Sequence, residues 1–384
     1  MFFRLNDEQS EIRDLVRKFA RNEIAPHAER WDEESHFPRE IFAPMAEMGL
    51  AGLLVPEQYG GSALPRLTGA LIYEEIGAAD MSTGVWMSVH NMVAGLINTY
   101  GSEEQRARWL PKMTAGELLG AFALSEAHAG SDAANVRCLA SREGEEYILN
   151  GTKFWVSSAG VADVYVVFAR TSASGSRGIS AFVIERGMAG FSIGKLERKM
   201  GLHSSPTGEL IFENCRVPAA QRLGAEGEGL RIALSSLNGG RINIGAIATG
   251  VARAAFEVAT RYARERMAFG RAIGAFEGVQ FTLADMAMRI EAARLLVYEA
   301  GFKMDEEGED ASMYAAMAKC LATDTAMAVT TDAVQVLGGA GYVRDWPVER
   351  YMRDVKVSQI FEGTNQIQRL VIARALLGEV AAAK

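Results

Sequence analysis

The sequence predicts an α+β protein of several domains: a helical domain over residues 1–117, a β domain over 118–222 and a second helical domain over 223–384. Apolar residues recur at helical spacing, then at alternate positions, and then at helical spacing again. A chain of 384 residues is also longer than one hydrophobic core supports. We expect the middle domain to be a β-barrel or β-sandwich and the last to be an antiparallel four-helix bundle.

The N-terminal domain is predicted from amphipathic helices. Apolar residues within Ile12–Phe19 recur at i, i+3, i+4 and i+7, after Asn6 or Asp7, either of which can cap the helix. Further helices are predicted over residues 39–48, 68–78, 82–100 and 102–114. By spacing alone, Trp86 and Met87 are best explained as core residues.

The middle domain is predicted from short runs of β-branched and aromatic residues separated by Gly, Ser or Pro. Asn150-Gly151 is a strong hairpin signal, so Tyr147–Leu149 and Thr152–Ser157 are expected to pair as two strands. Further strands are predicted over residues 164–169, 179–185, 191–195 and 209–217.

The C-terminal domain follows a linker rich in glycine and glutamate, residues 224–229. Long helices are predicted over residues 230–266, 276–304, 311–337, 347–358 and 365–377, and short turns between them favour an antiparallel bundle. Because these helices contain many alanines and methionines, we expect them to bury surface against another subunit, which predicts a homo-oligomer.

Composition excludes several classes of protein. A net charge of −8 and a pI near 5.4 argue against a nucleic-acid partner, whose phosphates require a basic face. Cys138, Cys215 and Cys320 form no Cys-x-x-Cys pair, so buried thiols are expected rather than disulfides or a zinc site. The five histidines lack metalloprotease spacing, and no metal is predicted.

Neither a targeting segment nor a membrane segment is predicted. The N-terminus becomes acidic at Asp7 and Glu8 without a long apolar run, which argues against a secretory signal. No stretch approaches 18 consecutive apolar residues, so no transmembrane helix is expected. The sequence therefore predicts a cytoplasmic enzyme.

One acidic residue near the C-terminus is a candidate for catalysis. Glu362 follows Ile360 and Phe361 and precedes a helix start that Thr364 or Asn365 can cap. Partial burial there would raise the pKa of the carboxyl group, which suits a general base acting on a weakly acidic C–H bond. Taken alone, an acid favoured by the helix dipole is the commoner explanation.

Two segments resemble those of a known family. Residues 361–368, Phe-Glu-Gly-Thr-Asn-Gln-Ile-Gln, resemble the catalytic signature of the acyl-CoA dehydrogenases. The flavin-contacting turn of that family resembles Gln335, Val336, Leu337, Gly338 and Gly339. The family's order of helical, β and helical domains is similar over essentially the whole chain.

The resemblance implies an FAD enzyme of fatty acid β-oxidation or amino-acid catabolism. Glu362 would remove the α-proton of an acyl-CoA while a hydride leaves the β-carbon for flavin N5, giving a trans-2-enoyl-CoA. Electrons would pass to an electron-transferring flavoprotein, and the enzyme would be a homotetramer built as a dimer of dimers. Some members carry the base at the position of Gly240, so only Glu362 can fill that role here.

The resemblance also implies flavin contacts in the β domain. The entry loop, where short side chains permit close backbone approach, contributes Phe122, Leu124, Ser125, Gly130 and Ser131. The family has Pro and Gly where this chain has Ala127 and His128. The following strand contributes Trp155, Val156 and Ser157, which match the family's Trp-Ile-Thr, and the catalytic segment contributes Thr364 and Gln366. Without the resemblance, the loop would be interpreted only as a connection between elements, and Trp155 as a core residue.

A further segment resembles the part through which one subunit binds its neighbour's FAD. Arg266 would face the pyrophosphate and Phe269 the adenine. Glu277 occupies a position where the family normally has Gln, and an acid near phosphates is unfavourable. Without the resemblance, arginines at a helix end are explained by the dipole.

Substrate contacts are implied at Ser131, Asn238, Arg241 and Gly363, with Asn238 replacing the family's usual Asp. The short-chain or short branched-chain members are favoured by residues 82–91, 178–182 and 239–241. Gly84 lies where glutaryl-CoA dehydrogenases place an arginine for the substrate carboxylate, so decarboxylation is disfavoured.

Two other functions are compatible with these sequence features. An acyl-CoA oxidase or a nitroalkane-oxidase-like flavoprotein would use a similar fold but pass its electrons to oxygen. A non-catalytic homologue would bind acyl-CoA or a partner protein as a scaffold. The presence of Glu362 and of the flavin-contact residues argues against a scaffold.

Overall fold

The computed structural model describes residues 5–378. Residues 1–4 and 379–384 lie outside the described residues, and the first four belong to the segment from which the absence of a secretory signal is predicted. The described chain forms helices, then a β-sheet, then helices again, which confirms the predicted order.

The N-terminal part is helical. Its helices are α1 (Asp7–Phe19), α2 (Ala28–Glu34), α3 (Phe42–Glu47), α4 (Arg66–Ala79), α5 (Met81–Tyr100) and α6 (Glu103–Thr114). Helix α1 begins with a capping box, in which the side chains of Asn6 and Gln9 each accept a hydrogen bond from the other's backbone N–H. Helices α4 and α5 are buried along most of their length, and Trp86 is completely buried, as its spacing predicts.

The strands of the middle part form one eight-stranded sheet within the described chain. They are β1 (Gly120–Ala123), β2 (Leu139–Glu143), β3 (Glu146–Ser157), β4 (Val164–Arg170), β5 (Ile179–Glu185), β6 (Phe191–Leu196), β7 (Thr207–Pro218) and β8 (Arg222–Leu223). Their order is β6-β7-β3-β2-β4-β5-β8, with β1 parallel to β4. A single residue pair, Leu139 with Arg170, joins β2 to β4, so the sheet is nearly divided there.

The predicted hairpin at Asn150-Gly151 is wrong. Strand β3 runs through these two residues, and both predicted strands are parts of it. The chain reverses instead at Gly144 and Glu145, between β2 and β3. The side chain of Asn150 accepts a hydrogen bond from the backbone N–H of Asn214 at 2.8 Å, where the register with β7 shifts. The Asn-Gly pair therefore makes an irregularity within a strand instead of a turn.

The C-terminal part contains the predicted long helices. They are α7 (Gly229–Glu265), α8 (Glu277–Asp305), α9 (Ala311–Leu337), α10 (Val348–Val355) and α11 (Asn365–Leu377). Two short strands, β9 (Met267–Ala268) and β10 (Arg271–Ala272), pair between α7 and α8. The predicted helix over residues 347–358 is shorter, because its last turn is a 3-10 helix, Lys356–Gln359. Helix α9 packs against α7, α8 and α11.

Helix α7 is the one helix of the described chain that is long and apolar enough to cross a membrane. However, 83% of its apolar window is buried within the protein, where it packs against α4, α5, α8 and α9. It therefore serves as the central core helix. The cytoplasmic location stays a prediction.

Candidate active site

The segment carrying Glu362 is a tight turn ahead of α11. Glu362 has a φ of 55° and Gly363 a φ of 87°, so two consecutive residues are left-handed. This conformation is costly for a residue with a side chain. Thr364 caps α11, its hydroxyl accepting a hydrogen bond from the N–H of Ile367 at 3.2 Å. Glu362 therefore does not start the helix, which removes the simplest structural explanation for an acid here.

The turn is held from two sides. The side-chain amide of Gln368 donates to the carbonyl of Gly363 at 2.8 Å and to that of Glu362 at 3.2 Å. From α9, the ammonium of Lys319 donates to the carbonyl of Gly363 at 2.9 Å and to Oδ1 of Asn365 at 2.8 Å. These bonds fix the direction in which the Glu362 side chain leaves the backbone.

The carboxylate of Glu362 is sheltered from water, as predicted. Glu362 is half-buried as a residue, but its Oε2 atom is sealed from solvent and has no hydrogen-bond partner in the described chain. A β-carbon added to Gly240 on α7 would lie 2.6 Å from Oε2. Burial raises the pKa of Glu362 to about 7, although the positive charges of Arg241 and Lys319 oppose this rise.

Arg241 is buried beside the carboxylate rather than solvated. Its side chain donates from Nη1 to Oδ1 of Asn238 at 2.9 Å, and the same oxygen accepts from the hydroxyl of Ser312 at 3.2 Å. Its Nε atom is buried without a partner in the described chain. Burial lowers the pKa of the guanidinium, and Glu362 raises it. Asn238 and Arg241 therefore lie together on α7, and the charge of Arg241 acts on Glu362.

A cavity of about 350 Å³ is lined mainly by residues of α5 and α7, Gly240 among them. Its lining combines apolar and polar side chains. The lining residues are Leu54, Arg66, Met92, Gly95, Leu96, Asn98, Thr99, Tyr100, Ser235, Ser236, Gly240 and Asn243. Helix α5 contributes part of the wall through residues beyond position 91, whereas Trp86 and Met87 are buried in the core.

Arg66 stands out in this lining. A β-carbon on Gly239 would lie 2.5 Å from its Nη1 atom. Burial lowers the pKa of the Arg66 guanidinium, with Tyr73 and Asp305 acting in the opposite direction. Its guanidinium makes no hydrogen bond or ion pair with any residue in 5–378. An unpaired cation therefore borders the cavity.

The two predicted flavin segments of the β domain are adjacent. The N–H of Phe154 donates to the carbonyl of Ser125 at 2.9 Å, which joins the entry loop to β3. Trp155 has a φ of 56° and is 53% exposed, so it is not a core residue. Leu124 and Val156 are buried, whereas Gly130 and Ser131 are exposed, and Phe122 and Ser157 lie between these extremes.

A buried ion pair supports this loop from behind. Glu126 accepts hydrogen bonds from the N–H groups of Arg137 at 2.7 Å and Cys138 at 2.9 Å. It also accepts from the completely buried ammonium of Lys153 at 2.7 Å, which donates to the carbonyl of Leu124 as well. Burial would raise the pKa of Glu126, but these partners hold it below its usual range.

Other predicted flavin residues are remote from Glu362 within one chain. The turn Gln335–Gly339 begins sixteen residues beyond Lys319, about 24 Å along α9. Arg266 and Phe269 follow the end of α7, about 37 Å along that helix from Gly240, and Glu277 begins α8. Phe269 is 95% exposed, and Gln366 is also exposed. The chain by itself does not bring residues 335–339, Arg266, Phe269 or Glu277 to the turn that carries Glu362, whereas Gln366 lies beside that turn at the start of α11.

The sequence patterns did not indicate Lys319, Arg66 or the pair of Glu126 with Lys153 as parts of the site. A signal existed for Lys319, since it lies at helical spacing from Ala315 and Ala322 on a buried face. The three cysteines are buried and unpaired, as predicted. Within residues 5–378, no group of three or more His, Cys, Asp and Glu could hold a metal ion.

Family models match almost the whole chain. The acyl-CoA dehydrogenase N-terminal domain matches residues 6–117, the middle domain 121–215 and the C-terminal domain 227–377. The chain belongs to the acyl-CoA dehydrogenase family. It is a flavin-dependent oxidoreductase of that family, as the catalytic signature indicates.

Three similar proteins illustrate the relationship. The chain is 42% identical to the mitochondrial isobutyryl-CoA dehydrogenase of Dictyostelium discoideum, over 97% of this chain and 90% of that one. The structure of butyryl-CoA dehydrogenase from Megasphaera elsdenii has a TM-score of 0.95 at 41% identity, covering 98% and 100% of the two chains. A chain in a structure of the electron transferring flavoprotein of Acidaminococcus fermentans has a TM-score of 0.96 at 47% identity, with the same coverage.

Proposed function

We propose that this member of the family removes the α-proton and a β-hydride from a short-chain or short branched-chain acyl-CoA, with Glu362 as the base. The product is the trans-2-enoyl-CoA. The observation that carries this proposal is the sheltered Oε2 of Glu362, which lies without a partner in the described chain against Gly240, a residue that also lines a cavity.

The environment of Glu362 suits removal of a weakly acidic proton. A base is most effective when its pKa lies near the working pH, and burial raises that of Glu362 to about 7. Gly240 leaves space for the carboxylate, while Arg241 and Lys319 provide positive charge that favours its ionised form. The base is thus ionised in a useful fraction of molecules near neutral pH.

The backbone of the same turn can assist the thioester. The N–H of Glu362 donates no hydrogen bond to residues within 5–378. Placed against the thioester oxygen, it would stabilise the negative charge that develops as the α-proton leaves, an effect of about 3 kcal/mol per donor. The FAD ribityl 2′-OH is proposed as the second donor.

The residues of the β domain fit a flat heterocycle. Trp155 presents a half-exposed indole at the point where the Ser125 loop meets β3, and Ser157 supplies a hydroxyl on the same strand. Bound FAD supplies N5 as the hydride acceptor. Thr364 and Gln366 are proposed as further flavin contacts.

A neighbouring subunit would complete the flavin site. Within one chain, the remaining predicted flavin residues are far from Glu362, which supports their use across a subunit interface. These residues are Arg266, Phe269, Glu277, Gln335, Val336, Leu337, Gly338 and Gly339. We therefore propose a homotetramer in which FAD is shared between subunits. Electron-transferring flavoprotein is the proposed acceptor, in line with the Acidaminococcus fermentans structure.

The cavity supports a short acyl group. A long hydrocarbon chain would have to desolvate the guanidinium of Arg66 and the side-chain amide of Asn98, neither of which has a hydrogen-bond partner within residues 5–378. A short acyl chain would leave these groups hydrated. Gly84 packs closely on Ile247, since a β-carbon added to Gly84 would lie 3.0 Å from the Ile247 side chain. As a glycine, this position also supplies no cation for the second carboxylate of a dicarboxylyl substrate.

Anaerobic flavin bleaching tests the proposal. Purified, FAD-loaded protein is mixed with butyryl-, isobutyryl-, hexanoyl-, octanoyl- and glutaryl-CoA, and the loss of flavin absorbance is followed. We expect rapid bleaching by the four-carbon substrates. Failure with every acyl-CoA would support a scaffold, and rapid peroxide formation after air is admitted would identify an oxidase.

A further inference from the structure

Lys319 is completely buried, and the reaction proposed above gives it no contact with the substrate. It lies on α9 among Ala315, Ala316 and Ala318, which are also fully buried. A lysine is rarely buried unless it is paired, because removing an ammonium group from water is costly. The burial of Lys319 is explained by the hydrogen bonds of its Nζ atom, which bind the turn that carries Glu362.

The contacts of Lys319 are specific. Nζ donates to the carbonyl of Gly363 at 2.9 Å and to Oδ1 of Asn365 at 2.8 Å, one residue and three residues beyond Glu362. Asn365 in turn donates from Nδ2 to Asp324 at 2.7 Å and to Thr323 at 2.9 Å. One ammonium group thus ties the left-handed turn to the buried face of α9.

We propose that Lys319 is a positioning residue for the base: it holds the Glu362 turn in its left-handed conformation and supplies a buried positive charge that keeps the carboxylate ionised. This proposal rests on the proposed function of Glu362. It assigns two separable tasks to one side chain, a hydrogen-bonding task at Gly363 and an electrostatic task at Glu362.

The hydrogen-bonding task follows from backbone strain. A left-handed non-glycine residue costs of the order of 1–3 kcal/mol unless its surroundings fix it. Gln368 supports the Gly363 carbonyl from within α11, whereas Lys319 supports it from a different helix. Of these two bonds to the Gly363 carbonyl, only the one from Lys319 joins the turn to the core of the bundle, where Arg241 and Gly240 of α7 also lie.

The electrostatic task follows from the charges around Lys319. Glu362, Cys320, Arg241 and Asp324 are the groups that act on its pKa, beside its own burial. Asp324 is already bound by Arg369 at 2.8 Å and by other side-chain donors, whereas Glu362 has no direct partner at Oε2. Glu362 is therefore the carboxylate whose charge Lys319 balances.

The protonation state of Lys319 is compatible with this task. Burial lowers its pKa to about 8, while Glu362 opposes the change. The ammonium form therefore predominates at neutral pH and is lost as the pH rises above 8. Conversely, Lys319 is one of the two cations that lower the pKa of Glu362.

Two variants separate the two tasks. Lys319→Met removes both the donor and the charge, whereas Lys319→Gln retains a neutral donor that can reach the Gly363 carbonyl. Thr330→Val is the matched control, since Thr330 is also buried on α9 but bonds only within that helix. Each protein is loaded with FAD, and kcat and KM for butyryl-CoA are measured from pH 5.5 to 9.

For Lys319→Met we expect at least a 10-fold fall in kcat at pH 7 with little change in KM. The apparent pKa in the pH profile of kcat/KM should move upward by about one pH unit or more, as expected when a nearby opposite charge is lost. Lys319→Gln should show the same upward shift of the apparent pKa, but at high pH its kcat should return to most of the wild-type value. Thr330→Val should resemble the wild type.

Several outcomes would overturn the proposal. An unchanged pH profile in both Lys319 variants, with Glu362→Gln inactive, would refute the role of Lys319 and leave the role of Glu362 intact. High activity in Glu362→Gln would instead refute the proposed function. Loss of folding or of FAD in both Lys319 variants, with Thr330→Val intact, would show that Lys319 serves folding alone.

Discussion

The carboxylate of Glu362 lies directly against Gly240, whose added β-carbon would come within 2.6 Å of Oε2. The two positions are 122 residues apart in the sequence and belong to different elements of the bundle. The resemblance to the family implies that its members carry the base at one or the other of these two positions. In this chain the absence of a side chain at Gly240 provides the space that the Glu362 carboxylate occupies.

Gly240→Ala should therefore displace the carboxylate without unfolding the protein, because the clash is with the end of a flexible side chain. We expect about a 10²-fold loss of kcat, the order associated with a displacement of 1 Å at a reacting group. Gly69→Ala is the control, since an added β-carbon on this helical glycine meets nothing within 4 Å. Equal activity in the two variants would show that the contact is unimportant.

Glu362→Gln should retain FAD and ligand binding but lose turnover by about 10²–10⁴-fold, the range for removal of a general base. Flavin bleaching by butyryl-CoA under anaerobic conditions measures the step directly. Glu145→Gln, in the exposed turn between β2 and β3, is the matched control. Near-wild-type bleaching in Glu362→Gln would rule out this residue as the base.

The activity should depend on pH through Glu362. Because burial raises the pKa of this acid to about 7, the ionised base is lost as the pH falls through 7. We expect kcat/KM to decrease about 10-fold for each pH unit well below that value and to level off above it. A profile that remains flat down to pH 5 would contradict the assignment.

Arg66→Leu should broaden the range of acyl chains. Replacing an unpaired guanidinium with an apolar side chain removes the penalty for placing methylene groups beside it. At about 0.8 kcal/mol per buried methylene, kcat/KM for hexanoyl-CoA should rise about 10-fold relative to butyryl-CoA. Arg66→Lys, which retains the charge, should preserve the wild-type ratio. An unchanged ratio in Arg66→Leu would place the limit on chain length elsewhere.

Lys153→Met should destabilise the loop that is proposed to bind flavin, because it leaves the buried Glu126 carboxylate without its cation. Breaking a buried pair costs about 3–5 kcal/mol. A lower urea midpoint and a reduced FAD content at pH 7 would show this loss. Lys195→Met, which removes an exposed ion pair with Glu197, should change neither measurement appreciably.

Local patterns in the sequence were sufficient to predict most elements. The helices predicted over residues 311–337 and 365–377 coincide with α9 and α11, because each has helical periodicity and clear boundaries. The burial of Glu362 was predictable from its apolar neighbours and is confirmed. The hairpin at Asn150-Gly151 was not predictable in this way, since pairing of β3 with β7 overrides the local turn preference.

Periodicity and motifs were enough to predict the order of helical and β domains, the boundaries of the long helices and the acid in the catalytic signature. Helix packing, by contrast, places this acid against Gly240, Lys319 against its turn and Arg66 at the edge of the cavity. Periodicity and capping depend on residues within a few positions of one another. The surroundings of a charge depend instead on which helices pack together, and those contacts join residues as distant in the sequence as Arg66 and Gly239, 173 positions apart.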